Sequence, residues 1–284
     1  MQLTLPHQRV LDLSQPQVMG ILNVTPDSFS DGGRFLTLNA AIRQAEQMLK
    51  DGATILDIGG ESTRPGSEPV SLDEELARVL PIIEALRREF DCILSIDTSK
   101  ANVMSAAVQA GADMINDVYA LRAPGALEAA ANARVPVCLM HMQGEPRTMQ
   151  QQPEYQDVVA DVMDFFIERM QACQQAGIEL EQIVLDPGFG FGKTLQQNYQ
   201  LLQHFDHFMQ LKRPLLAGMS RKSMIGQLLD APLSERLAGS LACATISAMK
   251  GAAIIRVHDV KATVQAIKVV QATLNQASLN GVKQ

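Results

Sequence analysis

The chain contains no tryptophan, and aromatic residues make up only 4% of its 284 positions. With a formal net charge of −7, that scarcity argues against nucleic acid as a partner, which needs stacking rings in a basic groove. An acidic surface is equally unsuited to an anionic bilayer, and no segment approaches the roughly 20 apolar residues of a membrane span. The first residues, MQLTLPHQRV, lack the basic stretch followed by an apolar core that marks a secretory leader, so a cytoplasmic location is expected. Cysteine is sparse too. Cys92, Cys138, Cys173 and Cys243 stand far apart, with no C-x-x-C pair and none beside a histidine, and read as reduced core thiols. Linkers rich in Pro, Ser or one sign of charge are also missing, so residues 1–284 are expected to form a single domain.

What is present is ordinary for a globular protein: 46% hydrophobic and 19% charged residues can bury a sizeable core. The informative pattern is how the apolar runs end. Ile183-Val184-Leu185 reads as a strand buried on both faces, and it stops at Asp186 because Pro187-Gly188 breaks it. The same ending recurs at Asn23, Asp57, Asp97, Asn116, and Arg256 with His258. Each strand thus presents polar groups at its C-terminal end, where parallel α/β sheets and barrels bind ligands.

Helical periodicity fills the intervals, over 40–50, from the capping box at Ser71 to about Phe90, and over 100–110, 125–132 and 155–175. Further helices are predicted over 194–205, 222–229, 235–249 and 259–274. Eight strand–helix alternations predict a (β/α)8 TIM barrel, an α/β fold, preceded by a short hairpin or arm over Leu3 to Leu13. A doubly wound open sheet is the alternative. Two long polar loops, after Asn23 and after Gly59, sit at the ligand rim and suggest mobile lids.

Two motifs mislead. Gly188-Phe189-Gly190-Phe191-Gly192-Lys193-Thr194 looks like a phosphate loop, but Pro187 stands where that motif needs glycine. His204 and His207 form an H-x-x-H pair with no third ligand nearby, which reads as a solvated helix face rather than zinc. The rim acids and amides suit a flat, donor-rich heterocycle, since a buried carboxylate accepts two parallel hydrogen bonds from a ring N–H and an exocyclic amine. Arg64, Lys222, Arg256 and His258 at strand ends in an acidic protein imply focusing onto a phosphate or pyrophosphate.

The segments MGILNVTPDSFSDGG, GGESTRPG, SIDTSK, IND, LDPGFGFGK, GMSRKSMIG and IIRVHDV occur in this order. They closely resemble the dihydropteroate synthase family of bacterial folate biosynthesis, over essentially the whole chain. The resemblance implies a homodimeric TIM barrel that condenses 6-hydroxymethyl-7,8-dihydropterin diphosphate with p-aminobenzoate, releasing pyrophosphate. It makes Asp97, Asn116, Asp186 and Lys222 the pterin readers. It gives the diphosphate to Asn23, Arg256 and His258, with Asn23 also holding Mg2+, and p-aminobenzoate to Phe29, Thr63, Arg64, Pro65, Phe191 and Ser223. The rivals are a pterin-binding methyltransferase barrel, a non-catalytic pterin-binding protein, and a Schiff-base aldolase built on Lys222.

Overall fold

The structure, a computed structural model, describes residues 1–24, 34–62, 67–144 and 154–274. Eight parallel strands close a barrel: β3 (Gln17–Asn23), β4 (Ile55–Gly59), β5 (Ile93–Asp97), β6 (Met114–Asp117), β7 (Val137–Met140), β8 (Ile183–Asp186), β9 (Leu215–Ala217) and β10 (Ala252–Val257). Closure is made by β10 on β3, with Ile254 opposite Gln17 and Val257 opposite Gly20. That pairing excludes the open doubly wound sheet.

The strands divide by alternate residues, as the two-residue period of a strand requires. Val18, Leu56, Leu94, Ile115, Val137, Ile183, Leu215 and Ile255 belong to the layer shared with the helices. Met19, Ile55, Met114, Cys138, Val184, Leu216 and Ile254 pack inside the barrel. The barrel floor is completed by the N-terminal hairpin, β1 (Gln2–Thr4) antiparallel to β2 (Val10–Asp12), whose Leu3, Leu5, Leu11 and Leu13 join that inner cluster. Arg9, just before β2, and Arg87 both pair with buried Asp113, which also accepts from the Leu94 amide at 3.0 Å. The hairpin therefore plugs one end and leaves the other for ligands.

The helices are α1 (Arg34–Lys50), α2 (Leu72–Glu89), α3 (Ala101–Gln109), α4 (Ala126–Ala133), α5 (Val158–Gln175), α6 (Leu195–Gln203), α7 (Ser223–Leu229), α8 (Leu237–Met249) and α9 (Val260–Leu274). Ser71 caps α2 by accepting from the Glu74 amide, as its sequence foretells. Several boundaries differ from the sequence reading. Helix α1 starts six residues earlier than Ala40, because nothing between Arg34 and Ala40 interrupts a helix. Helix α5 starts at Val158 rather than Tyr155, since the Asp157 carboxylate caps the Val159 and Ala160 amides. The helix expected through Phe205 ends at Gln203, and a 3-10 segment, Phe205–Leu211, follows. His204 and His207 are both exposed there, in keeping with a solvated face. All four cysteines are buried and unpaired.

Candidate functional site at the barrel mouth

One or two further steps along the inward-facing row of the strands bring polar residues to the C-terminal mouth. Asn23, Gly59, Asp97 and Asn116 share one register across β3 to β6. Asp186 pairs with Met140 on β7, and Arg256 stands two residues above Ile254 on β10. Glycines occupy two of these inward positions and open the space. A Cβ on Gly59 would lie 3.6 Å from the Asn23 side-chain oxygen and 3.7 Å from the Asp97 carboxylate. A Cβ on Gly218, just past β9, would lie 3.8 Å from both Asp186 Oδ2 and the Arg256 side chain. Any larger residue at Gly218 would fill the slot between the Asp186 carboxylate and the Arg256 stem.

The floor of the mouth is a charged network. Arg256 Nε donates to Asp57 Oδ2 at 2.6 Å, and its Nη2 donates to Asp97 Oδ2 at 2.7 Å. Asn116 Nδ2 donates to the same Asp57 oxygen at 3.0 Å. Asp57 is fully buried, and its second oxygen has no protein partner. Burial opposes the Arg256 charge, but Asp57 and Asp97 outweigh it and hold the guanidinium above its ordinary value. Burial pushes Asp97 up to about 7, against the pull of Arg256.

On the opposite wall Asp186 Oδ1 accepts from the Gly188 amide at 2.8 Å. Burial raises the Asp186 pKa, with the neighbouring Lys222 acting the other way. Lys222 donates to the Phe189 carbonyl and lies 4.5 Å from the centroid of the Phe191 ring, a cation–π contact. Burial pushes Lys222 down to about 8, against the attraction of Asp186. His258, on the segment after β10, shares hydrogen bonds with Ser220 through its amide at 3.2 Å and its Nδ1 at 3.1 Å. Beside it Arg221 grips Asp259 with two donors, at 2.8 and 2.6 Å.

The mouth therefore gathers Asn23, Asp97, Asn116, Asp186, Phe191, Lys222, Arg256 and His258. Ser223 is exposed at the start of α7. Phe29, Thr63, Arg64 and Pro65 lie outside the described residues, as do the tips of the two long loops. Sequence reasoning placed Asp57 at the rim but gave it no role. Its register, two pairs deeper than Gly59 and opposite Ser95, is what makes it the acceptor for Arg256. Ser220 and Lys193 carry no role in the sequence reading, where Lys193 belongs only to a false phosphate loop. Among the described residues no three His, Cys, Asp or Glu side chains converge as a metal cage.

A family profile described as pterin binding enzyme matches residues 19–258, the span from β3 to His258. The dihydropteroate synthase of Escherichia coli (strain K12) is 60% identical over 265 residues, covering 93% of this chain and 94% of that protein. The dihydropteroate synthase of Yersinia pestis, solved as a sulfonamide drug complex, has a TM-score of 0.92 at 57% identity and covers 96% of this chain and 99% of that one. That of Xanthomonas albilineans, solved with 4-aminobenzoic acid, has a TM-score of 0.90 at 51% identity, with 96% and 98% coverage. With this mouth, this barrel and these relatives, the chain belongs to the dihydropteroate synthase family of pterin-binding enzymes.

Proposed function

We propose that the chain joins 6-hydroxymethyl-7,8-dihydropterin diphosphate to p-aminobenzoate, giving 7,8-dihydropteroate and pyrophosphate. The observation that carries this reading is the slot between Asp186 and Arg256, with acceptors, an amide and a lysine on its walls. Asp186 Oδ2 and Asn116 offer the acceptor and donor edges that a pterin's N–H, amine and carbonyl require. Lys222 supplies a donor at the ring's edge, and Asp97 a carboxylate close to the reacting carbon.

The chemical problem is a C–O bond that must break although the incoming aromatic amine is a weak nucleophile. A dissociative route solves it: pyrophosphate leaves, the pterin nitrogens spread positive charge from the methylene carbon, and Asp97 stabilises that charge. Arg256 and His258 face the departing anion. Arg256 is held by Asp57 and Asp97 in this structure, so it can serve pyrophosphate only with the donors those acids leave over. The Asn23 side-chain oxygen stands at the mouth beside Gly59 and Asp97, which fits Mg2+, an ion that takes one or two protein oxygens and completes its shell with water and phosphate. Bound there, Mg2+ would neutralise charge on the leaving group. The aniline of p-aminobenzoate would enter past Phe191 and Ser223 and the loops that carry Phe29, Thr63, Arg64 and Pro65. Pyrophosphate release that requires the pterin diphosphate, p-aminobenzoate and Mg2+ together is the expected assay result; turnover of a carbonyl substrate with borohydride trapping on Lys222 would replace this reading with an aldolase.

The two shifted groups set a narrow pH window. Activity that needs the Asp97 carboxylate rises as pH passes about 7, where burial has moved that acid, and falls as Lys222 loses its proton near about 8. The profile of kcat/KM for the pterin diphosphate is therefore bell-shaped, and it reports the free enzyme. Lys222→Arg should push the alkaline limb upward, because a guanidinium keeps its charge. A wild-type profile flat from roughly pH 6 to roughly 9 would remove both groups from the chemistry.

The same reading makes the chain a cytoplasmic homodimer. Supporting the dimer, several apolar side chains on α7, α8 and the turn between them are exposed: Leu228, Leu229, Leu233, Leu237, Ile246 and Met249. Apolar exposure concentrated on two successive helices is commonly covered by a partner. Supporting the location, the cysteines are unpaired thiols, and among the described residues no helix is long and apolar enough to cross a membrane. The double substitution Leu228→Glu with Ile246→Glu should halve the mass seen by sedimentation at micromolar concentration; an unchanged mass would move the dimer contact elsewhere.

A further inference from the structure

Lys193 is a buried lysine for which the substrate chemistry has no task. It is only 3% exposed, and its donors go to backbone oxygens. Nζ lies 2.8 Å from the Gly188 carbonyl, 2.9 Å from that of Phe191 and 3.3 Å from that of His141. Three converging carbonyls need three N–H donors, which only the ammonium offers; a neutral amine would turn a lone pair towards one of them. Burial pushes Lys193 well below its ordinary range, and nearby Asp186 works in the opposite direction.

The three carbonyls belong to two separate segments. Gly188 and Phe191 sit on the loop after β8, whereas His141 follows β7. The backbones are pressed together where these segments meet. A Cβ on Gly188, whose φ is +69°, would stand 1.9 Å from the His141 carbonyl oxygen, and one on Gly192 would stand 2.5 Å from that of Gln143. The three carbonyl oxygens that converge on Nζ point their negative ends at one another and repel unless a cation lies between them. The outer side of the same loop faces the substrates: the Phe189 carbonyl accepts from Lys222, the Phe191 ring lies under the Lys222 ammonium, and the Gly188 amide holds Asp186.

We propose that Lys193 is a positioning residue whose ammonium ties the loop after β8 to the end of β7, and so sets Phe191 and Lys222 against the substrates. The inference rests on the reading that these two side chains face substrate. Wild-type turnover tests that reading by itself, while the tether has its own readout below.

In Lys193→Met, matched in length but without donors, KM for p-aminobenzoate should rise about tenfold or more at a temperature where the variant is folded. Pyrophosphate affinity should stay within about twofold, because Arg256 and His258 are held from β4, β5 and Ser220 rather than from this loop. Lys193→Arg keeps charge and donors and should recover part of the loss in KM. A lysine that only supports stability would lower the melting temperature and the active fraction but leave KM unchanged, and that outcome overturns the proposal. Should Lys193→Met fail to fold, wild-type enzyme labelled with 15N-lysine decides the matter. One slowly exchanging ammonium resonance should be present, absent in Lys193→Arg, and displaced when p-aminobenzoate binds with pyrophosphate. If no such protected ammonium exists in the native protein, Lys193 is not the tether.

Discussion

Asp57→Ala is expected to lose both stability and turnover, although Asp57 is fully buried below the layer of residues proposed to read the substrate. Its carboxylate is the acceptor for Arg256 Nε at 2.6 Å and for Asn116 Nδ2 at 3.0 Å. Truncation leaves the guanidinium with Asp97 as its remaining acid partner among the described residues and leaves the Asn116 amide without its acceptor. Removing one member of a buried ion pair costs about 3–5 kcal/mol, which should appear as a lower denaturation midpoint. Catalysis should suffer further, because Arg256 freed from Asp57 can swing towards Asp97 or the anion site, and Asn116 can turn its amide away from the ring. A loss in kcat/KM of at least ~100-fold is expected from misplacing two groups together. Asp57→Asn, which preserves volume and one acceptor but not the charge, should fall between. If Asp57→Ala turns over within about threefold of wild type, the network is scaffolding without a catalytic consequence.

Asp186→Asn should keep the fold and lose pterin affinity. The carboxylate spends Oδ1 on the Gly188 amide at 2.8 Å, leaving Oδ2 for the slot beside Gly218. An amide that preserves the Gly188 bond must turn its NH2 towards the ligand, so a donor meets the donors of the ring. Losing a charge-assisted bond and creating this opposition should cost on the order of 2–4 kcal/mol. Calorimetric titration with a phosphate-free pterin reads that cost directly; an affinity within about threefold of wild type would mean that another residue reads the ring edge. Pyrophosphate binding serves as the control, because Asp186 makes no contact with His258 or Asn23 in the described network.

Much of this architecture was legible in one dimension. The strands of the barrel are buried on both faces, so they appear as short apolar runs broken by Pro, Gly or a polar residue, and their count and spacing leave few alternatives to a barrel. The polar residue at each strand end was equally visible, because a period of two and a fixed polarity place it on the mouth wherever the strand stops. Helix boundaries were less legible. Asp157 caps a helix whose apolar pattern already begins at Tyr155, and the helix that starts at Thr194 as expected stops at Gln203, so the pattern alone runs through such boundaries.

The sequence by itself therefore determined the barrel, the end at which ligands bind, and the family of its chemistry, since these depend on residue type and local period. Only the tertiary structure decided which polar groups share their charges. Asp57 and Asp97 stand in similar words, TILDIGG and SIDTSK, yet β4 runs on to Gly59, and the register sets Asp57 two pairs deeper and hands it Arg256, 199 residues away. Lys193 follows the same logic. Its sequence suggested a phosphate loop, but glycines with positive φ bring three carbonyls from two segments onto its ammonium. Such pairings depend on strand register and on backbone approaches across the barrel, which no local pattern records, because each partner's composition is satisfied equally well by a different neighbour.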